Sequence, residues 1–169
     1  MPELIQRVTA SSRGSVSVWG AITPAGLGPL VKIHNKLNTV MYCAVLGNIM
    51  LPYLLNRPFS DGYFILQQDN FPIHKCRKVG AFLVSRCVPV LEWPAQYQDL
   101  STIEEVWGTM KASMARRPLH GLSADALWAV VTEDWEQLRV NRSFCASLHS
   151  FWPGRKWAVI DAAGKATRY

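Results

Sequence analysis

The run QQDNFPIH at residues 67–74 directly follows YFIL at residues 63–66. The apolar stretch is short and rich in β-forming residues, which predicts a buried strand, Tyr63–Gln68, that ends at Asp69. Helical spacing of apolar residues returns over Lys75–Ser85. We therefore expect Asp69 at the carboxyl end of a strand, before a turn and a helix. In open α/β sheets, ligands bind at that edge.

A second acid, Glu104, is expected in the first turn of a later helix. Ser101 is a typical N-cap and Glu104 stands at the N3 position, which completes a capping box for a helix to about Arg116. Thirty-four residues separate Asp69 from Glu104. Two carboxylates on elements that converge at a strand end can share a cation such as Mg²⁺. Position alone leaves the alternative that Asp69 is a turn residue and Glu104 half of a capping box.

The other segments alternate between strand and helix patterns. Residues 15–22 (SVSVWGAI) and 29–34 (PLVKIH) predict two strands, which a turn at residues 23–28 joins into a hairpin. The remaining predicted elements are a strand at Val88–Trp93 and helices at Asn38–Asn56, Ser123–Leu138, Ser143–Phe151 and Pro153–Ala163. This order implies a mixed sheet covered by helices, and hence an α/β fold.

The composition is that of one folded domain with an excess of positive charge. Of the 169 residues, 49% are hydrophobic and 18% are charged, which disfavours disorder. The formal net charge of +6 is compatible with a polyanionic partner, although many soluble domains are as basic. The four cysteines are scattered and form no C-x-x-C pair, so the sequence predicts free, mostly buried thiols and no zinc site.

The segment Thr39–Leu55 is nearly all apolar and almost long enough to cross a bilayer. It contains Asn48 and Pro52, lacks a flanking cluster of basic residues and falls just short of the usual length of a span. Both a membrane span and a buried helix fit this pattern. The buried helix fits it better, so we expect no membrane association.

Several ordered motifs resemble those of the Tc1-like transposases in the Tc1/mariner family. The matching stretches, in chain order, are GSVSVWG (14–20) to GGSVMVWG, GLGPL (26–30) to GxGPL, QQDNFPIH (67–74) to QQDNxPxH, VLEWPAQ (90–96) and DL (99–100) to VLxWPxQSPDLNPIE, and IEEVWG (103–108) to IENxWG. The ending, residues 158–169, is similar to the C-terminal end of the same family. The resemblance therefore covers nearly the whole chain.

The resemblance implies an RNase H-like fold and the DDE class of DNA strand transferases. In that family, three acidic residues hold two Mg²⁺ (or Mn²⁺) ions for attack on DNA phosphodiesters. Asp69 matches the second acid and Glu104 the third, at the family's DD34E spacing. Asn70 and His74 match motif positions and are expected beside the site; for His74, the alternative is a helix-start residue that orders the turn. DNA is the implied partner and the nucleus the implied location, and association into a homo-oligomer is left open.

The chain departs from the family pattern at the first acid. Only fourteen residues precede Ser15, and Glu3 is the sole acid among them. Because the family's first Asp lies on the first, central strand, we expect an N-terminally truncated domain that lacks this strand. Two acids are expected to bind Mg²⁺ only weakly, since this ion gives up its water reluctantly. Strand transfer by the chain alone is therefore not expected.

This comparison divides the chain into a connecting segment at residues 1–14, a sheet and catalytic core at 15–116, and C-terminal helices at 117–169. Without its first strand, the fold would present unpaired backbone groups at a sheet edge. We expect one of two solutions. Either the hairpin pairs directly with the Asp69 strand, or Glu3–Thr9 serves as a substitute strand.

Two classes of function are open at this point. The chain is either a fragment of a DDE transposase that acts in a longer form, or a non-catalytic, transposon-derived module for nucleic-acid binding or interaction. An ordinary RNase H-type nuclease fits less well, because the motif matches are to transposases. Weak, sequence-independent DNA binding is expected, against the alternative of a solvated basic surface without a partner. The candidate phosphate contacts are Arg116, Arg117, Arg155, Lys156, Lys165 and Arg168.

Overall fold

Three antiparallel strands form the sheet. The computed structural model describes residues 4–10, 14–34, 36–56, 58–69, 71–91 and 102–148, and for residues 4–10 the backbone alone. The strands are β1 (Leu4–Ala10), β2 (Gly14–Thr23) and β3 (Gly26–Ile33), in the spatial order β1-β2-β3.

The predicted hairpin is confirmed as β2 and β3, and its turn is tighter than expected. Thr23 pairs with Gly26, so that only Pro24 and Ala25 connect the strands. The Thr23 hydroxyl accepts a hydrogen bond from the Ala25 N–H at 3.1 Å. Gly26 has a φ of +119°, a backbone conformation that is accessible to glycine at little cost. This glycine lets the turn close in two residues.

Strand β1 corresponds to the second of the two expected solutions, a substitute strand, and it runs over Leu4–Ala10 where the sequence predicts Glu3–Thr9. It pairs antiparallel with β2, from Leu4 opposite Gly20 to Ala10 opposite Gly14. It therefore covers the edge of β2 that faces away from β3. The backbone groups on both edges of β2 are paired as a result.

The two strands predicted for Tyr63–Gln68 and Val88–Trp93 are wrong in extent. Within the described part of the chain, they meet in a single parallel bridge between Leu66 and Val90. The Leu66 N–H donates to the Pro89 carbonyl at 2.8 Å, and the Leu91 N–H donates to the Leu66 carbonyl at 2.8 Å. Phe64 and Leu66 are buried. Packing thus explains the apolar pattern of this segment without a longer ladder.

Helices cover the sheet. They are α1 (Thr39–Val45), α2 (Leu51–Asn56), α3 (Arg77–Ser85), α4 (Thr102–Met114), α5 (Ala124–Val140) and α6 (residues 142–148). Asn38 and Ser123 cap α1 and α5, and each side chain accepts a hydrogen bond from a first-turn N–H. The helix predicted at Pro153–Ala163 lies outside the described residues.

Helices α1 and α2 belong to one helical run, Thr39–Asn56, joined by a π-helical turn at Leu46–Met50. The wider turn directly precedes Pro52, which has no N–H to donate to the preceding turn. The run is long and apolar enough to cross a membrane by length and composition. Tyr42, Leu46, Met50 and Leu54 recur every four residues and are fully buried in the core. This stripe packs as the inner face of a core helix.

Two apolar clusters lie on opposite faces of the sheet. In the first, Val18 and Ile22 of β2 join residues of α4 and α5 such as Trp107 and Trp135. In the second, Trp19 and Ala21 of β2 join the Thr39–Asn56 run, Leu66 and α3. Strand β2 is therefore buried between two helical layers, which is the three-layer arrangement of an α/β domain.

Gly20 lies where β2 meets a pair of tryptophans. The rings of Trp107 and Trp135 pack with their centroids 5.3 Å apart. A Cβ atom at Gly20 would lie 2.7 Å from Cη2 of Trp135 and 3.0 Å from Cη2 of Trp107. Trp135 is held in place by a hydrogen bond from its Nε1 to the Gly28 carbonyl at 3.0 Å. The packing of α4 and α5 on the sheet thus depends on a missing side chain.

The substitution Gly20→Ala should lower the free energy of unfolding by about 1–3 kcal/mol, because overpacked cores must shift their neighbours. The matched control is Gly108→Ala in α4, where an added Cβ meets no atom within 4 Å. That change should raise the free energy of unfolding by up to about 1 kcal/mol, since alanine favours helix over glycine. Denaturant unfolding measures both. Equal effects of the two substitutions would contradict the assigned packing.

Candidate active site

Asp69 stands where the chain leaves the Leu66–Val90 bridge and turns towards α3. Its Oδ1 accepts a hydrogen bond from the Phe71 N–H at 3.0 Å, which closes an Asx turn. The same oxygen lies 2.6 Å from Nδ1 of His74. The second oxygen, Oδ2, makes no hydrogen bond with the described residues, and the side chain is 16% exposed. One oxygen of Asp69 is therefore anchored, while the side chain as a whole keeps some exposure.

His74 is buried under this turn. Its ring packs against the ring of Tyr42, with centroids 4.5 Å apart, and meets the edge of Phe71 at 5.7 Å. The Tyr42 hydroxyl donates to Oε1 of Gln68 at 2.9 Å, and Nε2 of Gln68 donates to the His74 carbonyl at 3.4 Å. His74 therefore both orders the turn before α3 and contacts Asp69. Asn70, its predicted companion, lies outside the described residues.

A cleft of about 730 Å³ opens beside Asp69. Lys75 and Arg77 line it together with Asp69, and Leu83 and Val84 of α3 supply apolar lining. Sequence reasoning missed both basic residues. Their signal was available, since they flank Cys76 directly after the QQDNFPIH run. The cleft thus places positive charge next to a carboxylate.

Cys76 caps the N-terminus of α3 and lines the same cleft. Hydrogen bonding by the Val79 N–H holds the pKa of the Cys76 thiol below its ordinary value. The Thr39 hydroxyl lowers this pKa further, by a smaller amount. Burial raises the pKa of the Cys43 thiol above its ordinary value, and the nearby Cys76 raises it further by charge repulsion. All four cysteines are free thiols, but the prediction that most are buried is wrong, since Cys87 is exposed and the other three are partly exposed. The two thiols should differ in reactivity, because the thiolate is the nucleophile.

Glu104 lies in the first turn of α4 and is half-buried. Its neighbours Thr102 and Ile103 are buried, and α4 packs against β1 and β2. The first turn of α4 is therefore fixed relative to the sheet, and the positive end of the helix dipole favours a negative charge there. That the carboxylates of Asp69 and Glu104 share one edge of the sheet stays a prediction.

The predicted phosphate contacts differ in their surroundings. Arg116 is exposed. The guanidinium of Arg117 donates to Glu133 at 2.9 Å and to the buried carboxylate of Asp134. Arg117 thus ties the turn after α4 to α5, which leaves Arg116 the better placed of the two for a phosphate. The other predicted contacts, Arg155, Lys156, Lys165 and Arg168, lie outside the described residues.

Comparison with known proteins identifies the family. The sequence model of the family described as DDE superfamily endonuclease matches residues 5–124. The chain belongs to this superfamily. The Tc1 transposase of Caenorhabditis elegans is 33% identical over 156 residues, which are 92% of this DDE domain and 55% of the relative. The domain therefore spans about half the length of the relatives it matches.

Solved structures confirm the expected fold. The catalytic domain of the Mos1 mariner transposase superposes on this DDE domain with a TM-score of 0.83 at 15% identity, covering 99% of this chain and 83% of that one. The Mos1 catalytic domain with raltegravir and Mg gives the same TM-score at 16% identity and covers 99% and 84%. The fold is RNase H-like. With the similarity to Tc1, this makes the chain a Tc1/mariner DDE transposase domain.

The chemistry of Asp69 fits a divalent cation, and the described part of the chain shows no complete three-acid site beside it. Among the residues that the structure describes, no group of three His, Cys, Asp or Glu side chains is arranged to hold a metal ion. Asp69 itself has the chemistry of a Mg²⁺ ligand, with a partly exposed carboxylate at a cleft.

Alkylation should distinguish the two cysteines near the cleft. Between about pH 7 and 8, Cys76 should react with iodoacetamide faster than Cys43, because a lowered pKa gives it a larger thiolate fraction. Thr39→Val should slow the reaction of Cys76 by removing one of the hydrogen bonds that favour its thiolate. Peptide mass spectrometry over a pH series gives both rates. Faster labelling of Cys43 would contradict the described environments.

Proposed function

We propose that this DDE domain takes part in Mg²⁺- or Mn²⁺-dependent DNA cleavage and strand transfer during transposition. The observation that carries the proposal is the state of Asp69. One carboxylate oxygen is anchored by the Phe71 N–H and His74, and the side chain lines a cleft together with Lys75 and Arg77. In metal-assisted phosphoryl chemistry, carboxylates such as Asp69 hold the cation, and basic side chains such as Lys75 and Arg77 bind phosphate oxygens.

The roles of the residues follow from their chemistry. Asp69 and Glu104 would hold the cation, each through carboxylate oxygens. A bound Mg²⁺ would polarise the phosphoryl oxygens and lower the pKa of a coordinated water. Lys75 and Arg77 would bind the phosphates of the DNA strand that enters the cleft, since both are permanent donors to phosphate oxygens.

The proposal assigns to this chain the share of the site that belongs to the second and third acids. With two acids, we expect the ion to be held weakly, because fewer charges compensate its loss of water. Complete strand transfer needs a further carboxylate near Asp69. We also propose that the whole protein acts in transposition on DNA ends and is located in the nucleus. Association into a homo-oligomer is left open.

The first test is metal binding. Asp69→Asn and Glu104→Gln should each weaken Mn²⁺ binding by about tenfold or more, because each removes a charged ligand. Asp61→Asn is a matched control, since Asp61 is exposed and accepts an Asx-type hydrogen bond from the Tyr63 N–H at 3.1 Å. Glu105→Gln is the control for Glu104 in the same helical turn. Electron paramagnetic resonance of free Mn²⁺ gives the affinities, and equal losses in variants and controls would refute the assignment.

The second test is DNA binding. The double substitution Lys75→Gln with Arg77→Gln should weaken binding of single-stranded DNA. It should also reduce the slope of log K against log salt concentration by about 1.4, since each phosphate contact contributes about 0.7 to that slope. Lys111→Gln with Arg139→Gln removes the same charge from α4 and α5, outside the cleft lining. Fluorescence anisotropy at several salt concentrations measures the slopes. The same slope change in both double variants would show that the cleft is not the contact.

The second candidate is a non-catalytic, DNA-binding module derived from a transposon. The observation in its favour is that the described residues bring no third acid to Asp69. The two candidates differ in their need for metal. The non-catalytic module predicts DNA binding that persists in EDTA together with no Mn²⁺ binding that depends on Asp69.

A further inference from the structure

His74 is held in a frame that leaves its ring little freedom. The residue is 3% exposed, and its ring lies 4.5 Å from that of the fully buried Tyr42. The Tyr42 hydroxyl binds Gln68, whose amide in turn reaches the His74 carbonyl. Tyr42 of α1 therefore holds the ring of His74 directly and its backbone through Gln68.

The two ring nitrogens of His74 have different surroundings. Nδ1 lies 2.6 Å from Oδ1 of Asp69, whereas Nε2 is buried and has no hydrogen-bond partner among the described residues. An ionised carboxylate only accepts hydrogen bonds, so the proton of this contact belongs to Nδ1. A proton on Nε2 would be a buried donor without an acceptor. The surroundings thus select the tautomer with its proton on Nδ1.

This contact fixes the orientation of the Asp69 carboxylate, which belongs to the lining of the cleft. Oδ1 accepts two hydrogen bonds, from Phe71 and His74, and these hold the carboxylate on one side. Rotation of the carboxylate would break both bonds and leave the buried Nδ1–H of His74 unpaired. The other oxygen, Oδ2, is the one left for a ligand.

We propose that His74 is a positioning residue that holds Asp69 by Oδ1 and so presents Oδ2 to a divalent cation in the cleft. The inference rests on the proposed function insofar as Asp69 is a metal ligand. The physical logic is that of outer-shell partners in metal sites, which orient the ligand they bind and thereby raise metal affinity. The competing role is packing alone, in which the ring only fills space against Tyr42.

Two substitutions separate these roles. His74→Asn keeps a donor where Nδ1 stands and removes the ring, whereas His74→Phe keeps a ring against Tyr42 and removes the donor. For the positioning role, His74→Asn should bind Mn²⁺ within about threefold of the wild type, and His74→Phe should bind it about ten- to a hundredfold more weakly. The reverse order of the two variants would establish the packing role and overturn the proposal. Thermal unfolding of each variant shows that the domain is folded.

A metal-free measurement keeps this test independent of the proposed function. The Phe71 N–H shares Oδ1 of Asp69 with His74, so its exchange with water reports whether Asp69 is held. In the absence of metal, exchange should be unchanged in His74→Asn and at least about fivefold faster in His74→Phe. If Asp69→Asn leaves Mn²⁺ binding intact while this difference is seen, the metal site is misassigned and the hold on Asp69 stands. If exchange is the same in both variants, His74 does not hold Asp69.

The wild-type protein alone provides a further check should a variant fail to fold. A long-range ¹H–¹⁵N spectrum of the histidine ring distinguishes the two tautomers. The proposal requires the His74 proton on Nδ1. A neutral ring whose single proton is on Nε2 would overturn it, because Nδ1 would then have no proton to donate to Asp69.

Discussion

Strand β2 is hydrogen-bonded along both edges and covered on both faces, and this double burial fixes its register. A slip by one residue would exchange the two faces and expose every apolar side chain of the strand to the wrong layer. Val18 belongs to the apolar cluster with α4 and α5, and Trp19 belongs to the cluster with the Thr39–Asn56 run. The helices that support the candidate site are therefore positioned by their packing against β2.

The site inherits this order through Tyr42. This residue shares the second apolar cluster with Trp19, and its ring and hydroxyl hold His74 and Gln68. His74 in turn holds one oxygen of Asp69. A buried polar network of this kind is specific because each unmade bond in it would be costly. The segment that carries the charged cleft residues Asp69, Lys75 and Arg77 is thus held against the core by this network.

The sequence was most informative where local pattern and burial agree. The SVSVWGAI stretch predicts β2, and the helices predicted at Asn38–Asn56 and Ser123–Leu138 begin at the residues that cap α1 and α5. It was least informative for the Leu66 segment, where apolar side chains pack into the core without a strand ladder. The π-helical turn at Leu46–Met50 has no signal in helical spacing beyond Pro52, which follows it.

The candidate site shows the same division. Asp69, Glu104 and His74 are candidates that the residues of the motifs and their spacing predict. The contact between His74 and Asp69 and the tie of Arg117 to α5 depend on side-chain directions that sequence spacing does not determine. The close approach of Trp135 to Gly20 is likewise a property of packing between distant segments.

We expect Asp69 and Glu104 to meet at one edge of the sheet as ligands of a single cation. Anomalous diffraction from crystals of the chain grown or soaked with Mn²⁺ would locate that ion. One Mn²⁺ peak should be bound by Oδ2 of Asp69, with the carboxylate of Glu104 bound to the same ion directly or through one water. A peak elsewhere, or carboxylates of Asp69 and Glu104 on opposite faces of the sheet, would contradict it.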